Sequence, residues 1–375
     1  MNSLTILGGG NTAFAVAANL SLRGFEVTLC EIPSFAWTLE PIRATQTIRL
    51  DGVAERGAAR MAHVTTDFKE ALSANELALL IVPAYAHKPF AAACAPHLRA
   101  GQIVVMTPGT LGTLEFARML REAGVAGVTL AESDTAPYVC RKVAPDAAHI
   151  WGVVSGLGVG VFPATESERV AAALREVFTV DGRNGSASAV RLYRNVLECG
   201  LSAMNPVVHP AGVLMNAGRI EYARGDFYFY EEGVTPAVCD VIEALDEERR
   251  AIGKALGFDL LPVDEAFHAA GFGPKGDLWA TINGSRMLTQ LRAPGAVNTR
   301  WLTEDVPYGL AAWASLADQL GIATPVMDAL VKLGLIVTHL DGKATGRGVE
   351  ELGIAGMNRE EMLTYVTVGE VRQNV

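Results

Sequence analysis

A glycine turn near the N-terminus constrains the fold of this chain more than any other feature. The apolar run Leu4–Leu7 is followed by Gly8-Gly9-Gly10-Asn11-Thr12-Ala13, and Asn11–Arg23 has helical periodicity. The turn fits the pattern GxGxxG/A, with Gly8, Gly10 and Ala13 at its small-residue positions. There the first glycine allows the tight turn, the second lets the backbone approach a pyrophosphate, and the last small residue allows close helix–strand packing. The sequence therefore predicts a strand–turn–helix unit that binds a dinucleotide.

A carboxylate stands where such a unit requires one. The apolar run Val27–Cys30 ends at Glu31, 21 residues after Gly10. Its carboxylate would accept hydrogen bonds from the adenosine ribose and would repel a 2′-phosphate. No Arg or Lys follows Glu31 until Arg43, which favours NAD, although a cation from another loop would allow NADP. The pyrophosphate would rest on the helix start, where Asn11, Thr12 and Ala13 lie.

Short apolar runs alternate with helical stretches through the first half, which predicts a doubly wound Rossmann sheet. The strands are predicted at Leu4–Leu7, Val27–Cys30, Leu77–Val82, Ile103–Met106 and Val128–Ala131, with Ile150–Ser155 as a sixth. Pro83 terminates one of them at the sheet edge where ligands bind, and we expect it to line the nicotinamide side of the cofactor site.

The pattern changes after the segment Asp181–Ser188, which is rich in Gly, Ser and Asn. Beyond it the periodicity is helical, over Val190–Met204 continuing towards Arg219, and over Thr235–Leu256, Leu310–Leu320 and Pro325–Thr338. We therefore predict an α/β Rossmann domain over residues 1–184 and an all-α domain over residues 185–375.

Composition excludes several classes of function. The 375 residues carry a formal charge of −10, which disfavours nucleic-acid and anionic-membrane partners. Five widely spaced cysteines, without CxxC or zinc-ligand spacing, indicate reduced thiols and no metal site. The N-terminus lacks signal-peptide features, and no apolar run reaches the roughly 18 residues of a membrane helix. These features predict a cytoplasmic protein, and its apolar helical half is compatible with a homodimer.

Two polar clusters interrupt the helical half. His209 lies in an apolar helical segment, and Asn205 shares its face because the two residues are four apart. A histidine on an apolar face can also be a hydrogen-bonded core residue. In the second cluster, Arg300 could bind a carboxylate with two parallel bonds, and Asp305 or Glu304 could orient an imidazole. A solvated surface loop is the alternative for these charges.

The chain resembles the octopine/opine dehydrogenase family, including bacterial N-(1-carboxyethyl) amino acid dehydrogenases. The resemblance is carried across both halves by the glycine turn, by Asn205-Pro-Val-Val-His209-Pro with Asn216-Ala-Gly-Arg219, by Phe227-Tyr-Phe-Tyr230-Glu-Glu-Gly233-Val-Thr-Pro236, and by Asn298-Thr-Arg300 with Glu304-Asp305-Val306.

This resemblance implies a Rossmann domain followed by a helical substrate domain of the 6-phosphogluconate-dehydrogenase-like type. It implies an oxidoreductase of amino acid metabolism that acts on CH–NH donors, condensing an α-keto acid, often pyruvate, with an amino acid at the expense of NAD(P)H. By motif position, His209 matches the family's catalytic histidine, Asp305 its aspartate partner, and Arg300 the arginine that binds a substrate carboxylate. We expect Asn205 to contact substrate from the face that it shares with His209.

Two other functions remain open on the same scaffold. One is an NAD-dependent 2-hydroxy-acid or related dehydrogenase, and the other is a non-catalytic NAD-sensing protein. Glycerol-3-phosphate dehydrogenase and ketopantoate reductase have this architecture but use a lysine in the helical domain. Their chemistry is disfavoured because no lysine lies between Lys142 and Lys254.

Overall fold

The structure, a computed structural model, describes residues 2–73, 75–178, 190–342 and 345–370. It divides into two compact units. One is formed by the chain up to Val196 with Thr367–Gly369, and the other by Leu197–Val366. The boundary predicted at residues 184 and 185 lies outside the described residues, so the domain limits stay a prediction.

Twelve strands are seen in the described residues, all in the first unit. They are β1 (Ser3–Leu7), β2 (Glu26–Cys30), β3 (Thr47–Gly52), β4 (Gly57–Arg60), β5 (His63–Thr65), β6 (Leu77–Leu80), β7 (Ile103–Met106), β8 (Thr129–Ser133), β9 (Tyr138–Ala144), β10 (Ala147–Val153), β11 (Gly158–Phe162) and β12 (Arg191–Leu192).

The main sheet has eight strands in the order β12-β11-β8-β7-β6-β1-β2-β5. From β5 to β8 the neighbouring strands are parallel. This arrangement is the doubly wound order of a Rossmann sheet, with its switch point between β1 and β6. The predicted fold class of the first unit is therefore confirmed, and the switch point lies where the glycine turn leaves β1.

The predicted sixth strand of the Rossmann sheet lies in a different sheet. The apolar run Ile150–Ser155, expected as the sixth strand, belongs to β10 in a separate four-stranded sheet of order β4-β3-β10-β9. The main sheet is instead continued by β11, which is antiparallel to β8 and buried along its whole length. An apolar run predicts an extended segment, but its pairing partner is set by contacts distant in sequence.

Sixteen α-helices are seen in the described residues. They are α1 (Asn11–Leu22), α2 (Glu40–Arg43), α3 (Phe68–Ser73), α4 (His87–Cys94), α5 (Gly112–Glu122), α6 (Ser167–Phe178), α7 (Val196–Leu201), α8 (Asn205–Met215), α9 (Ala217–Ala223), α10 (Pro236–Leu256), α11 (Val263–Ala269), α12 (Leu278–Asn283), α13 (Arg300–Thr303), α14 (Ala311–Leu320), α15 (Pro325–Thr338) and α16 (Arg359–Val368). None of the helices described here is long and apolar enough to cross a membrane.

The second unit is helical, as predicted, but its first helix is not continuous. The expected helix from Val190 towards Arg219 is replaced by strand β12 and by the three helices α7, α8 and α9. Pro206 lies in the first turn of α8, where a missing N–H group costs no hydrogen bond. Apolar periodicity alone therefore does not show where one of these helices ends and the next begins.

Candidate functional site

The first residue of the glycine turn is required by the backbone. Gly8 has φ +123°, and a Cβ atom there would lie 2.5 Å from the carbonyl oxygen of Ile81. The turn therefore passes directly over the end of β6, across the switch point of the sheet. Pro83 follows on that side and is half-buried, so it lies at the same sheet edge as the turn.

Gly10 has no such structural requirement. Its φ of −80° suits any residue, and a Cβ atom there would find no atom within 4 Å. Gly10 precedes α1, whose start has no side-chain cap, and Asn11 is exposed while Thr12 is half-buried. Ala13 is fully buried. Open space beside uncapped N–H groups is the form that a pyrophosphate cradle takes, so these residues fit a dinucleotide.

Glu31 lies against the glycine turn. One carboxylate oxygen accepts a hydrogen bond from the Gly9 N–H group at 2.7 Å, and the other accepts from the Ile32 N–H group at 2.8 Å. Burial raises the pKa of Glu31, while these two backbone donors act to lower it. The carboxylate is thus fixed at the end of β2, beside the turn, in the position that the ribose of a bound dinucleotide would need.

His209 and Asp305 form a buried pair in the second unit. Nδ1 of His209, on α8, lies 2.7 Å from Oδ2 of Asp305, and only 8% of His209 and 9% of Asp305 are exposed. A carboxylate at Nδ1 holds one tautomer of a neutral imidazole and leaves Nε2 available for proton transfer. The structure therefore brings together two residues that are 96 positions apart in the sequence.

A tyrosine and a tryptophan complete the surroundings of His209. The Tyr230 hydroxyl lies 3.2 Å from Nε2, and the Trp301 ring stacks on the imidazole with centroids 4.5 Å apart and planes at 9°. Burial, followed by the negative charge of Asp305, raises the pKa of Tyr230, so its hydroxyl stays protonated at neutral pH.

Sequence reasoning missed the role of local backbone geometry here. Tyr230 and Asp305 both lie in π-helical turns, Phe229–Gly233 and Asp305–Leu310. Such turns are rare and often occur at functional sites. Tyr230 lies in an aromatic run, a pattern that is also typical of a core, so the only sequence signal for it is its place in the family motif.

Arg300 and Asn205 are more exposed than the pair. Arg300 begins α13, next to Trp301, and among the described residues no carboxylate lies within salt-bridge distance of it. Its guanidinium is therefore available to an anion. Asn205 is exposed at the start of α8, and among the described residues no hydrogen bond joins its side chain to that of His209. Four-residue spacing correctly predicted that the two residues lie on one helix.

No group of three or more His, Cys, Asp or Glu side chains that could hold a metal ion occurs in the described part of the chain. Nor does any disulfide link the cysteines.

Comparison with known proteins identifies the family. Residues 192–338 match the family model described as NAD/NADP octopine/nopaline dehydrogenase, alpha-helical domain. The chain is also 30% identical over 357 residues to an opine dehydrogenase of Arthrobacter sp. (strain 1C), covering 94% of this chain and 95% of that protein. The chain belongs to the opine dehydrogenase family. It is an NAD(P)-dependent oxidoreductase acting on CH–NH donors.

Solved structures of opine dehydrogenases have the same fold. Octopine dehydrogenase in complex with NADH and L-arginine superposes with a TM-score of 0.77 at 20% identity, covering 100% of both chains. A second complex of that enzyme contains NADH and pyruvate, with a TM-score of 0.75 and 21% identity over 100% of both chains. NADP⁺-bound yersinopine dehydrogenase superposes with a TM-score of 0.71 at 16% identity, covering 97% of each chain.

Proposed function

We propose that this chain catalyses the NADH-dependent reductive condensation of an α-keto acid with the amino group of an amino acid, with His209 as the acid–base group. The observation that carries the proposal is the buried His209–Asp305 contact of 2.7 Å, with Tyr230 at the other ring nitrogen and an available guanidinium on the adjoining helix. Pyruvate and L-arginine, bound by octopine dehydrogenase, are the first substrates to test.

His209 acts through Nε2. Asp305 accepts a hydrogen bond from the Nδ1–H group, which leaves the Nε2 lone pair to take the two protons of the attacking amine in turn and pass them to the former carbonyl oxygen, which departs as water. The Asp305 carboxylate then stabilises the imidazolium that forms during this exchange. A neutral Tyr230 hydroxyl donates a hydrogen bond to Nε2 until substrate arrives, so the ring is held in one orientation.

Arg300 binds the keto-acid carboxylate. A planar guanidinium matches a carboxylate with two parallel hydrogen bonds, and this fixes both the position and the orientation of the small substrate. Asn205, at the exposed start of the same helix as His209, is the second proposed substrate contact. Such positioning removes much of the entropic cost of bringing the reacting atoms together.

The cofactor is proposed to bind at the glycine turn of the first unit. Gly8 and Gly10 would leave room for the pyrophosphate, Asn11, Thr12 and Ala13 begin the helix whose N–H groups would hold it, and Glu31 would hold the ribose. Pro83 would line the nicotinamide side of the site, where a bound nicotinamide would supply hydride to the substrate. Glu31 favours NADH because its carboxylate would repel a 2′-phosphate.

The test is NADH oxidation by the purified chain with pyruvate, with and without a mixture of amino acids. Turnover that requires both substrates supports the proposal. Turnover with keto acid alone would indicate a 2-hydroxy-acid dehydrogenase, and NADH binding without turnover across a panel of keto and amino acids would indicate a sensor. A screen over single amino acids then defines the substrate.

A further inference from the structure

A lysine from the second sheet lies beside the glycine turn. Strand β9 packs against α1, and its Lys142 donates its backbone N–H group to the side chain of Asn11 at 2.9 Å. Residues two apart on a strand share a face, and Cys140 on the same face lies 3.8 Å from the Thr12 hydroxyl. Strand β9 therefore brings Lys142 next to the first turn of α1.

The ammonium group of Lys142 is half-buried without an acidic partner. Its Nζ atom lies 3.4 Å from the centroid of the Phe14 ring and 3.4 Å from the carbonyl oxygen of Thr38. In the described ranges, no carboxylate oxygen comes within ion-pair distance of this group. Burial lowers the pKa of Lys142. A partly desolvated cation beside a ring face and a carbonyl oxygen is stabilised by any anion that reaches it.

Thr38 connects this ammonium to the proposed nucleotide cradle. A Cβ atom on Gly9 would collide with the Thr38 hydroxyl and would lie 3.2 Å from the Glu31 carboxylate. Glu31, Gly9 and Thr38 are therefore packed together, and the Lys142 ammonium lies at the carbonyl oxygen of the same Thr38. Phosphate groups are the anions of a dinucleotide, and the backbone of Lys142 already contacts the start of α1 through Asn11.

We propose that Lys142 is a cofactor-binding residue that forms an ion pair with a phosphate group of the dinucleotide at the adenosine end. The cation comes from β9, more than a hundred positions after the strand that carries Glu31. It supplies positive charge that the segment following Glu31 lacks up to Arg43. This inference rests on the proposed position of the dinucleotide at the glycine turn, and it does not depend on the role of His209.

The experiment is calorimetric titration of the full chain, without substrates, with NADH and NADPH. Lys142→Met keeps an unbranched side chain, one atom shorter, and removes the charge. We expect it to weaken binding by about ten- to a hundredfold, the usual range for a hydrogen bond to a charged group. A loss confined to NADPH identifies the 2′-phosphate as the partner of Lys142, and an equal loss for both cofactors identifies the pyrophosphate. Wild-type affinity for both would overturn the inference.

Arg141→Met is the matched control. Arg141 is the neighbouring residue on β9, is exposed, and lies on the opposite face of the strand. Arg141→Met removes the same charge without removing the proposed contact between Lys142 and a phosphate, so we expect no more than a twofold change in cofactor affinity. An equal loss in both variants would mean that net charge alone is responsible and would contradict a contact at Lys142.

Two further measurements separate binding from a structural role. Lys142→Arg should restore most of the affinity, and adenosine, which has no phosphate, should bind wild type and Lys142→Met with equal affinity. Equal losses for adenosine and NADH would mean that Lys142 only holds Thr38 in place.

If Lys142→Met does not fold, Lys142→Gln provides the same comparison. If Gly10→Ala also leaves NADH affinity unchanged, the position of the cradle is wrong; if only Lys142→Met has no effect, the lysine inference fails by itself.

Discussion

The glycine turn in the first unit and the histidine site in the second are assembled from different kinds of groups. The turn uses backbone N–H groups and open space from consecutive residues, together with one carboxylate from the next strand. The histidine site uses side chains from helix α8, from two π-helical turns and from helix α13. A site made of backbone is specified by glycine and by local turn geometry, whereas a site made of side chains depends on which helices pack together.

The largest expected effect tests the side-chain site alone. His209→Ala should lower kcat by about 10²–10⁴-fold, because it removes the proposed acid–base group. NADH affinity should stay near the wild-type value, since the residue contributes nothing to the glycine turn. Steady-state kinetics and NADH titration measure the two quantities.

His268→Ala is the control for this variant. His268 is an exposed histidine of the same unit that contacts only the carbonyl of Gly273 among the hydrogen bonds observed, at 3.0 Å. The kcat of His268→Ala should match that of wild type. An unchanged kcat in His209→Ala would exclude His209 from the chemistry.

The matching test of the backbone site is Gly10→Ala. The methyl group enters the space proposed for the pyrophosphate, and we expect NADH affinity to fall by about five- to a hundredfold, as for overpacking of a fitted site. The free energy of unfolding should change by about 1 kcal/mol or less, the usual effect of alanine at a helix N-cap. Calorimetry and denaturant unfolding measure these values.

Gly218→Ala introduces the same methyl into similarly open space on α9. Gly218→Ala should leave NADH affinity unchanged.

Gly8→Ala should instead destabilise the fold, because the φ of +123° at Gly8 and its contact with Ile81 do not tolerate a side chain. Loss of stability in Gly10→Ala equal to that in Gly8→Ala would contradict the distinction between the two glycines.

Arg300→Lys should raise KM for the keto acid by about tenfold, because a single ammonium cannot form both parallel hydrogen bonds. KM for NADH should not change. Arg286→Lys, at an exposed arginine of the same unit, is the matched control, and equal keto-acid KM values in the two variants would remove Arg300 from substrate binding.

The smallest effect concerns Tyr230→Phe. Losing one hydrogen bond should lower kcat by about two- to tenfold. The Tyr230 hydroxyl donates to neutral imidazole, and its raised pKa keeps it a donor throughout the neutral range. Steady-state kinetics at neutral pH measure the change in kcat. A kcat equal to the wild-type value would indicate that Tyr230 only packs against the ring.

The backbone site could be read largely from the sequence. Gly8 and Gly10, the helix that follows them and Glu31 are all contained in one short stretch with a strong local pattern. Lys142 could not be connected to that stretch from the sequence. Its strand, β9, belongs to a second sheet, and the hydrophobic periodicity of the sequence did not predict that sheet. The same limitation explains why the run at Ile150 was placed in the main sheet.

The side-chain site was predicted in a different way. Family motifs indicated His209, Asp305 and Arg300, but helical spacing alone left His209 open to interpretation as a core residue. Tyr230 was not singled out, since an aromatic run has the same pattern in a core as beside an active group. The break between α7 and α8 was missed because apolar periodicity does not depend on whether the helix is continuous.

The sequence by itself determined the strand–turn–helix unit, its carboxylate, the succession of α/β and helical halves, and the family. These depend on backbone conformation and burial period, which neighbouring residues specify. Only the tertiary structure decided that Tyr230 and Trp301 enclose His209, and that the ammonium group of Lys142 lies at the carbonyl oxygen of Thr38. Such contacts join residues far apart in the chain, and their formation depends on packing that no local pattern records.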